Sequence, residues 1–100
     1  MKTVLAPAAG DDLRAAWRWI RRDSRLAATA LRASVTEAAD RIAAHRDIGM
    51  SRPDLTSEPV RFLFLSRFPY VLVYDPEPTP PVILRILHAS RDIEGVLQRR

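Results

Sequence analysis

The stretch Arg61–Asp75, RFLFLSRFPYVLVYD, decides how the rest of the chain must fold. It holds two strand-like runs, Arg61–Ser66 and Tyr70–Asp75, joined at a Phe68-Pro69 turn. A third run, Val82–Ala89, follows after the Pro-stiffened segment Pro76–Pro81. Connections this short favour an antiparallel meander. A sheet with one wet face would alternate apolar and polar residues. Here Phe62 and Phe64 lie opposite Leu63 and Leu65. Tyr70, Leu72 and Tyr74 lie opposite Val71 and Val73, and Val82, Leu84 and Ile86 opposite Ile83 and Leu87. Both faces are therefore apolar.

Upstream, Lys2–Ala6 reads as a short strand ended by Pro7. Asp11 and Asp12 then suit a helix start, and Leu13, Ala16, Trp17 and Ile20 mark one apolar helical face. Trp17 is expected in the core, and Trp19, about 200° away around the helix, at the surface. Asp23-Ser24 offers a new N-cap. A second helix, about Arg25–His45, carries the stripe Ala27, Leu31, Val35, Ala38 and Ile42 and is expected to end at Gly49, before a loop over Met50–Pro59. The tail Asp92–Arg100 can add one or two helical turns.

The order strand, helical hairpin, three-stranded antiparallel meander and short C-terminal helix predicts a two-layer α+β fold, a single domain over residues 1–100. One hairpin covers one face of a sheet. The expectation is that another chain covers part of the other, since exposed apolar patches mark interaction surfaces. The alternative is that the N-terminal arm, the 50–59 loop and the tail fold over it.

Composition narrows the function classes. Apolar residues make up 47% of the 100 residues, enough for a core. No cysteine is present, which excludes disulfides and thiolate metal sites and suits a reducing compartment. No apolar run approaches the ~20 residues of a membrane span, and the first residues do not read as a signal peptide. A cytoplasmic protein without a cofactor or metal is expected. The net charge is +4, carried by 15 Arg and one Lys. That balance permits an anionic partner, nucleic acid or acidic protein.

The last strand runs straight into His88, Arg91 and Asp92. These residues either form a site or close the strand. The closing role is favoured: Asp92 capping the tail helix, Arg91 pairing with a carboxylate or holding a carbonyl of the first strand, and His88 adding a hydrogen bond.

The segments DDLRAAWRWIRRDSRLAA (Asp11–Ala28), YVLVYD (Tyr70–Asp75) and ILRILHASRDIEGVL (Ile83–Leu97), with Gly49, Arg52, Leu55 and Arg61 between them, resemble ParE-type toxins of the ParE/RelE superfamily. The most specific piece is a His three positions before Arg-Asp-Ile. The resemblance implies the toxin of a bacterial type II toxin–antitoxin system, with a helical hairpin against an antiparallel sheet. It implies neutralisation by a ParD-type antitoxin whose C-terminal segment wraps the toxin, and DNA gyrase as target. Trp19, Phe62, Phe64, Tyr70, Leu72, Tyr74 and Arg85 are the residues offered to the antitoxin. Arg61, Arg67, His88 and Arg91 are those offered to the target. Pro59-Val60 stands where a Gly often precedes the sheet Arg, and the Asp75–Pro81 turn is unusually rich in Pro.

RelE-type relatives instead cut messenger RNA on the ribosome. Such chemistry needs an acid and a base near the 2′-hydroxyl and cations at the phosphate. His88 titrates in the right range. No second acid or base is evident beside it, no Lys lies beyond Lys2, and no Tyr follows Tyr74. The non-enzymatic reading leads. The alternatives are a ribosome-dependent endoribonuclease and a non-toxic binding or regulatory member of the family.

Overall fold

The structure, a computed structural model, describes residues 3–98. Its elements are β1 (Val4–Leu5), α1 (Pro7–Arg21), α2 (Arg25–Ala44), β2 (Arg61–Phe64), β3 (Tyr70–Asp75), β4 (Val82–His88) and α3 (Ile93–Gln98). This is the expected α+β order. Lys2, and the last two residues of the expected tail, lie outside the described residues.

α1 starts four residues earlier than Asp11. Pro7 sits at its first position, where a fixed φ and a missing N–H suit a helix start. Asp11 and Asp12 therefore fall in the second turn, where Asp11 pairs with Arg14. The break between helices is set by Ser24, whose hydroxyl accepts from the Ala27 amide at 3.0 Å. α2 buries Ala28, Leu31, Val35, Ala38 and Ile42, the expected stripe with Ala28 in place of Ala27. At its far end the chain is fastened to the N-terminus, where the Thr3 hydroxyl donates to the Ala39 carbonyl at 2.7 Å.

The sheet order is β1-β4-β3-β2, with the β2–β3 and β3–β4 pairs antiparallel and β1 parallel to β4. On one face, Tyr70, Leu72, Tyr74, Ile83 and Ile86 pack against Ala9, Ala16, Leu31, Val35 and Ile42 of the hairpin. The alternation read from sequence holds on β2 and β3 but slips on β4. There Val73 pairs with Arg85 while Tyr74 pairs with Ile83, so Leu84 has no partner. This bulge puts Ile83 and Ile86 on the helix face and Leu84 and Leu87 on the other.

The second face corrects the expectation of a foreign cover. Phe62, Val71, Val73 and Leu87 are buried there by Val60, by Leu55 of the loop, and by Ile93, Val96 and Leu97 of α3. Val71, Val73 and Leu87 have no exposed surface at all. The i, i+3, i+4 spacing of 93, 96 and 97 is the reason, since it gives even a six-residue helix an apolar stripe. Each side chain so covered contributes about 1.5–3 kcal/mol of burial.

Two loops are fixed by polar contacts. Arg46 donates to the carbonyls of Pro76 (2.7 Å), Glu77 (3.2 Å) and Pro78 (3.2 Å). It thereby holds a turn whose prolines lack donors of their own. Gly49 does not end α2, which stops at Ala44 with His45 as its cap. It is small because Tyr74 presses on it: an added Cβ would lie 2.7 Å from the Tyr74 ring and 3.0 Å from the Phe62 carbonyl. The Tyr74 hydroxyl accepts from the Gly49 amide and donates to the Arg46 carbonyl, both at 2.8 Å.

Two outcomes follow for stability. Truncation after Asp92 should uncover Val71, Val73 and Leu87, seen as hydrophobic-dye binding and a lower Tm; an unchanged melt would show that α3 is not part of the fold. Gly49→Ala should cost about 1–3 kcal/mol in denaturant unfolding, because the Tyr74 ring must move.

Candidate functional site

Among the described residues β1 pairs with β4 only at Val82 and Ile83, which leaves the rest of that edge of β4 without a strand. α1 closes it. Asp12 Oδ2 accepts from the Ile86 amide at 2.9 Å and from Arg85 Nε at 2.7 Å, and Oδ1 accepts from Arg85 Nη2 at 3.0 Å. One carboxylate thus takes the place of a missing strand. Both side chains are largely covered, 13% exposed for Asp12 and 19% for Arg85. The Asp12 hydrogen bonds hold the Arg85 guanidinium above its ordinary pKa, against the effect of burial. Arg85 is therefore engaged within the chain.

Beyond this clamp β4 ends in the residues that drew attention in the sequence. His88 pairs with Tyr70, and their rings meet edge to face at 5.1 Å. His88 Nδ1 accepts from the Ser90 amide at 3.1 Å and lies 2.7 Å from Ser90 Oγ. An amide can only donate, so Nδ1 bears the lone pair and the neutral ring carries its proton on Nε2. Asp92 caps α3 by accepting from the Gly95 amide at 3.1 Å. The strand-closing reading holds for His88 and Asp92. It fails for Arg91, whose backbone amide bonds to the His88 carbonyl while its side chain stays exposed. The carboxylate pairing expected of Arg91 is made by Arg85. Together His88, Tyr70, Ile86, Arg91, Asp12 and Trp19 line a shallow hollow of about 200 Å³.

The other candidates divide by burial. Phe62, Leu72 and Tyr74 lie wholly inside the chain's own core, and Tyr70 is 9% exposed. The first three are not surface a partner can reach, and Tyr70 shows only the edge that lines the hollow. Burial pushes both the Tyr70 and Tyr74 phenols above their ordinary pKa. Arg61 is tied to the loop, donating to the Gly49 carbonyl at 2.6 Å beside Asp47. Phe64 and Trp19 are exposed, Trp19 by 65%, with the Arg22 guanidinium 5.1 Å from its ring. Phe64 and Arg67 border a groove against α2. Trp17, expected in the core, is half-buried and lines a surface groove instead, with Arg21 at 5.3 Å and Arg32 at 5.9 Å from its ring. Asp12 was missed as a site residue: its partners are more than 70 positions away, and only the fold brings them together.

The family described as "ParE toxin of type II toxin-antitoxin system, parDE" matches residues 4–93. The chain belongs to the ParE toxin family. Among solved structures it is similar to a chain of a chromosomal ParDE toxin–antitoxin system from P. aeruginosa. The TM-score is 0.73 at 22% identity, over 90% of this chain and 97% of that one. A search of curated proteins found no match. The ParE match spans the helical hairpin and all four strands and ends at the first residue of α3. Among the described residues no helix is long and apolar enough to cross a membrane, and no group of three acidic, His or Cys side chains could hold a metal.

The clamp can be measured. Asp12→Asn should lower stability by about 1–3 kcal/mol, because Arg85 keeps its burial and loses its counter-ion. A double-mutant cycle with Arg85→Ala should show coupling. Arg91→Ala, an exposed position, should stay within about 0.5 kcal/mol of wild type.

Proposed function

We propose that this ParE-family toxin acts by binding a protein target, DNA gyrase, without chemistry of its own. It is held inactive by a ParD-like antitoxin whose C-terminal segment wraps it. The observation that carries the non-enzymatic part is the state of the groups at the end of β4. His88 Nδ1 is occupied by Ser90, and the neighbouring carboxylate, Asp12, is taken up by Arg85 and the Ile86 amide. Cutting RNA needs a free base and a free acid on either side of the phosphate. The hollow offers a histidine and an exposed Arg91 but no second unengaged proton-transfer group. Family membership supports the toxin role, and the similar structure comes from a system that pairs ParD with ParE.

Target recognition falls to what remains outside. Arg91 and His88 border the hollow, and Arg67 lies at the exposed turn after β2. Exposed apolar side chains at Trp19, Leu26 and Phe64 are available for contacts with partners.

Induction of the gene alone should arrest growth, and the product of the adjacent reading frame should relieve the arrest. Purified protein should inhibit gyrase supercoiling and raise the amount of cleaved DNA. Unaltered supercoiling, with messenger RNA cut during translation and cutting lost in His88→Ala, would overturn the binding mechanism in favour of the nuclease. Absence of any growth arrest would point to a regulatory member.

A further inference from the structure

One face of α1 contributes nothing to the core. Ala15, Arg18, Trp19 and Arg22 stand at i, i+3, i+4 and i+7 and so share that face. All four are exposed, Trp19 by 65%. The Trp19 side chain borders two hollows, each with its own cations. One, of about 440 Å³, lies along Arg18, Arg21 and Arg22. The other is the hollow of about 200 Å³ at the end of β4, which His88 and Arg91 also border.

Two features say what such a surface takes. The first is charge without an internal partner. Residues 18–25 hold four Arg and one acidic residue, Asp23. Among the described residues Arg18, Arg21, Arg22 and Arg91 enter no ion pair, the pairs being Arg14–Asp11, Arg52–Asp54, Arg61–Asp47 and Arg85–Asp12. Arg18 and Arg22, four apart on a helix, repel each other. The carboxylate of the β4 hollow, Asp12, is taken up by Arg85 and the Ile86 amide. The second feature is the ring. The Arg22 guanidinium lies over it at 5.1 Å and steadies one face, while the large exposure leaves the other face open. A flat apolar surface flanked by guanidiniums fits a flat ligand with anions on either side. That is a nucleobase stacked on the indole, with its neighbouring phosphates on the arginines. Acidic side chains of a protein would meet the arginines and leave the ring uncovered. A duplex would offer phosphates but keep its bases stacked inside.

We propose that Trp19, with Arg18 and Arg22 in one hollow and His88 and Arg91 in the other, is a stacking platform for single-stranded DNA. His88 accepts at Nδ1, so its Nε2 carries a proton to donate. The side chains around the ring thus supply donors for phosphate. The one carboxylate that could accept from a ribose 2′-hydroxyl is engaged, which favours DNA over RNA. This contact goes beyond the protein-binding mechanism above and does not depend on it.

A Trp17→Phe protein makes the test direct, because its fluorescence reports Trp19 alone. The probe is oligothymidine of about 12 nucleotides, within the usual span of a single-strand site. Saturable quenching of Trp19 is the expected result. Anisotropy of a fluorescein-labelled strand then follows the variants. Affinity should fall about tenfold in Trp19→Ala and largely recover in Trp19→Phe, as for a stacked base. Arg22→Glu should weaken binding about tenfold, whereas Arg41→Glu, the same change in net charge on α2, should leave it within about threefold. Positions 19, 22 and 41 are exposed, so the Tm of each variant should stay within about 4 °C of its parent. An abasic strand of equal length should bind more weakly and leave Trp19 emission unchanged. Unquenched emission, equal losses in Arg22→Glu and Arg41→Glu, or equal affinity for the abasic strand would show only the general attraction of a basic protein and overturn the platform. Tighter binding of oligouridine than of oligothymidine would overturn the assignment to DNA. A Trp19 response to a Glu-rich peptide or to phosphatidylglycerol vesicles, with none to oligothymidine, would overturn a nucleic-acid ligand altogether.

Discussion

β3 has no wet side. Tyr70, Leu72 and Tyr74 point one way, Val71 and Val73 the other, and all five are buried. A strand like this, in the middle of a four-stranded sheet, is stable only if both faces are covered. The rest of the chain answers that requirement. The hairpin supplies a thick cover on one face, while Leu55, Val60 and the stripe of α3 supply a thin one on the other. In a chain of 100 residues the margin from burial is small, so the short tail matters out of proportion to its length.

Covering the faces leaves the edges. Past Ile83 the outer edge of β4 has no neighbouring strand, and Asp12 meets the Ile86 amide and Arg85 there. At the opposite edge the outward amide and carbonyl of Phe62 are taken by Met50. The Tyr74 hydroxyl bridges Gly49 and Arg46 where the chain leaves α2 for the sheet. Each device satisfies backbone groups that would otherwise invite pairing with another chain. Consequently the large apolar side chains that stay exposed lie on helices and strand ends rather than on the middle of the sheet, Trp19 and Phe64 among them.

Much of this was legible in sequence because it is periodic. The α2 stripe, the three strands and the Ser24 cap all repeat or punctuate at spacings that short windows detect. Pro7 was read as a strand stop, which it is, but not as the first residue of α1, and Gly49 was misread as a helix stop. Their true roles depend on the conformation of Ala6 and on the approach of Tyr74. The bulge at Leu84 leaves no periodic trace. The Asp12–Arg85 pair joins positions 73 apart. The candidate site suffered most, since Phe62, Leu72 and Tyr74 were chosen for being large and apolar on strands. That pattern marks an interface and a core alike, and only the position of α3 and the hairpin tells them apart.

A sheet whose two faces are closed by its own chain requires no partner's cover in order to fold. Amide hydrogen exchange on the isolated full-length chain tests this most directly. Slowest exchange across Tyr70–Asp75 with no partner present is the expected result. Amides of Tyr70–Asp75 that exchange as fast as those of the 51–59 loop, and gain protection only on adding a binding partner, would contradict a sheet closed by its own chain.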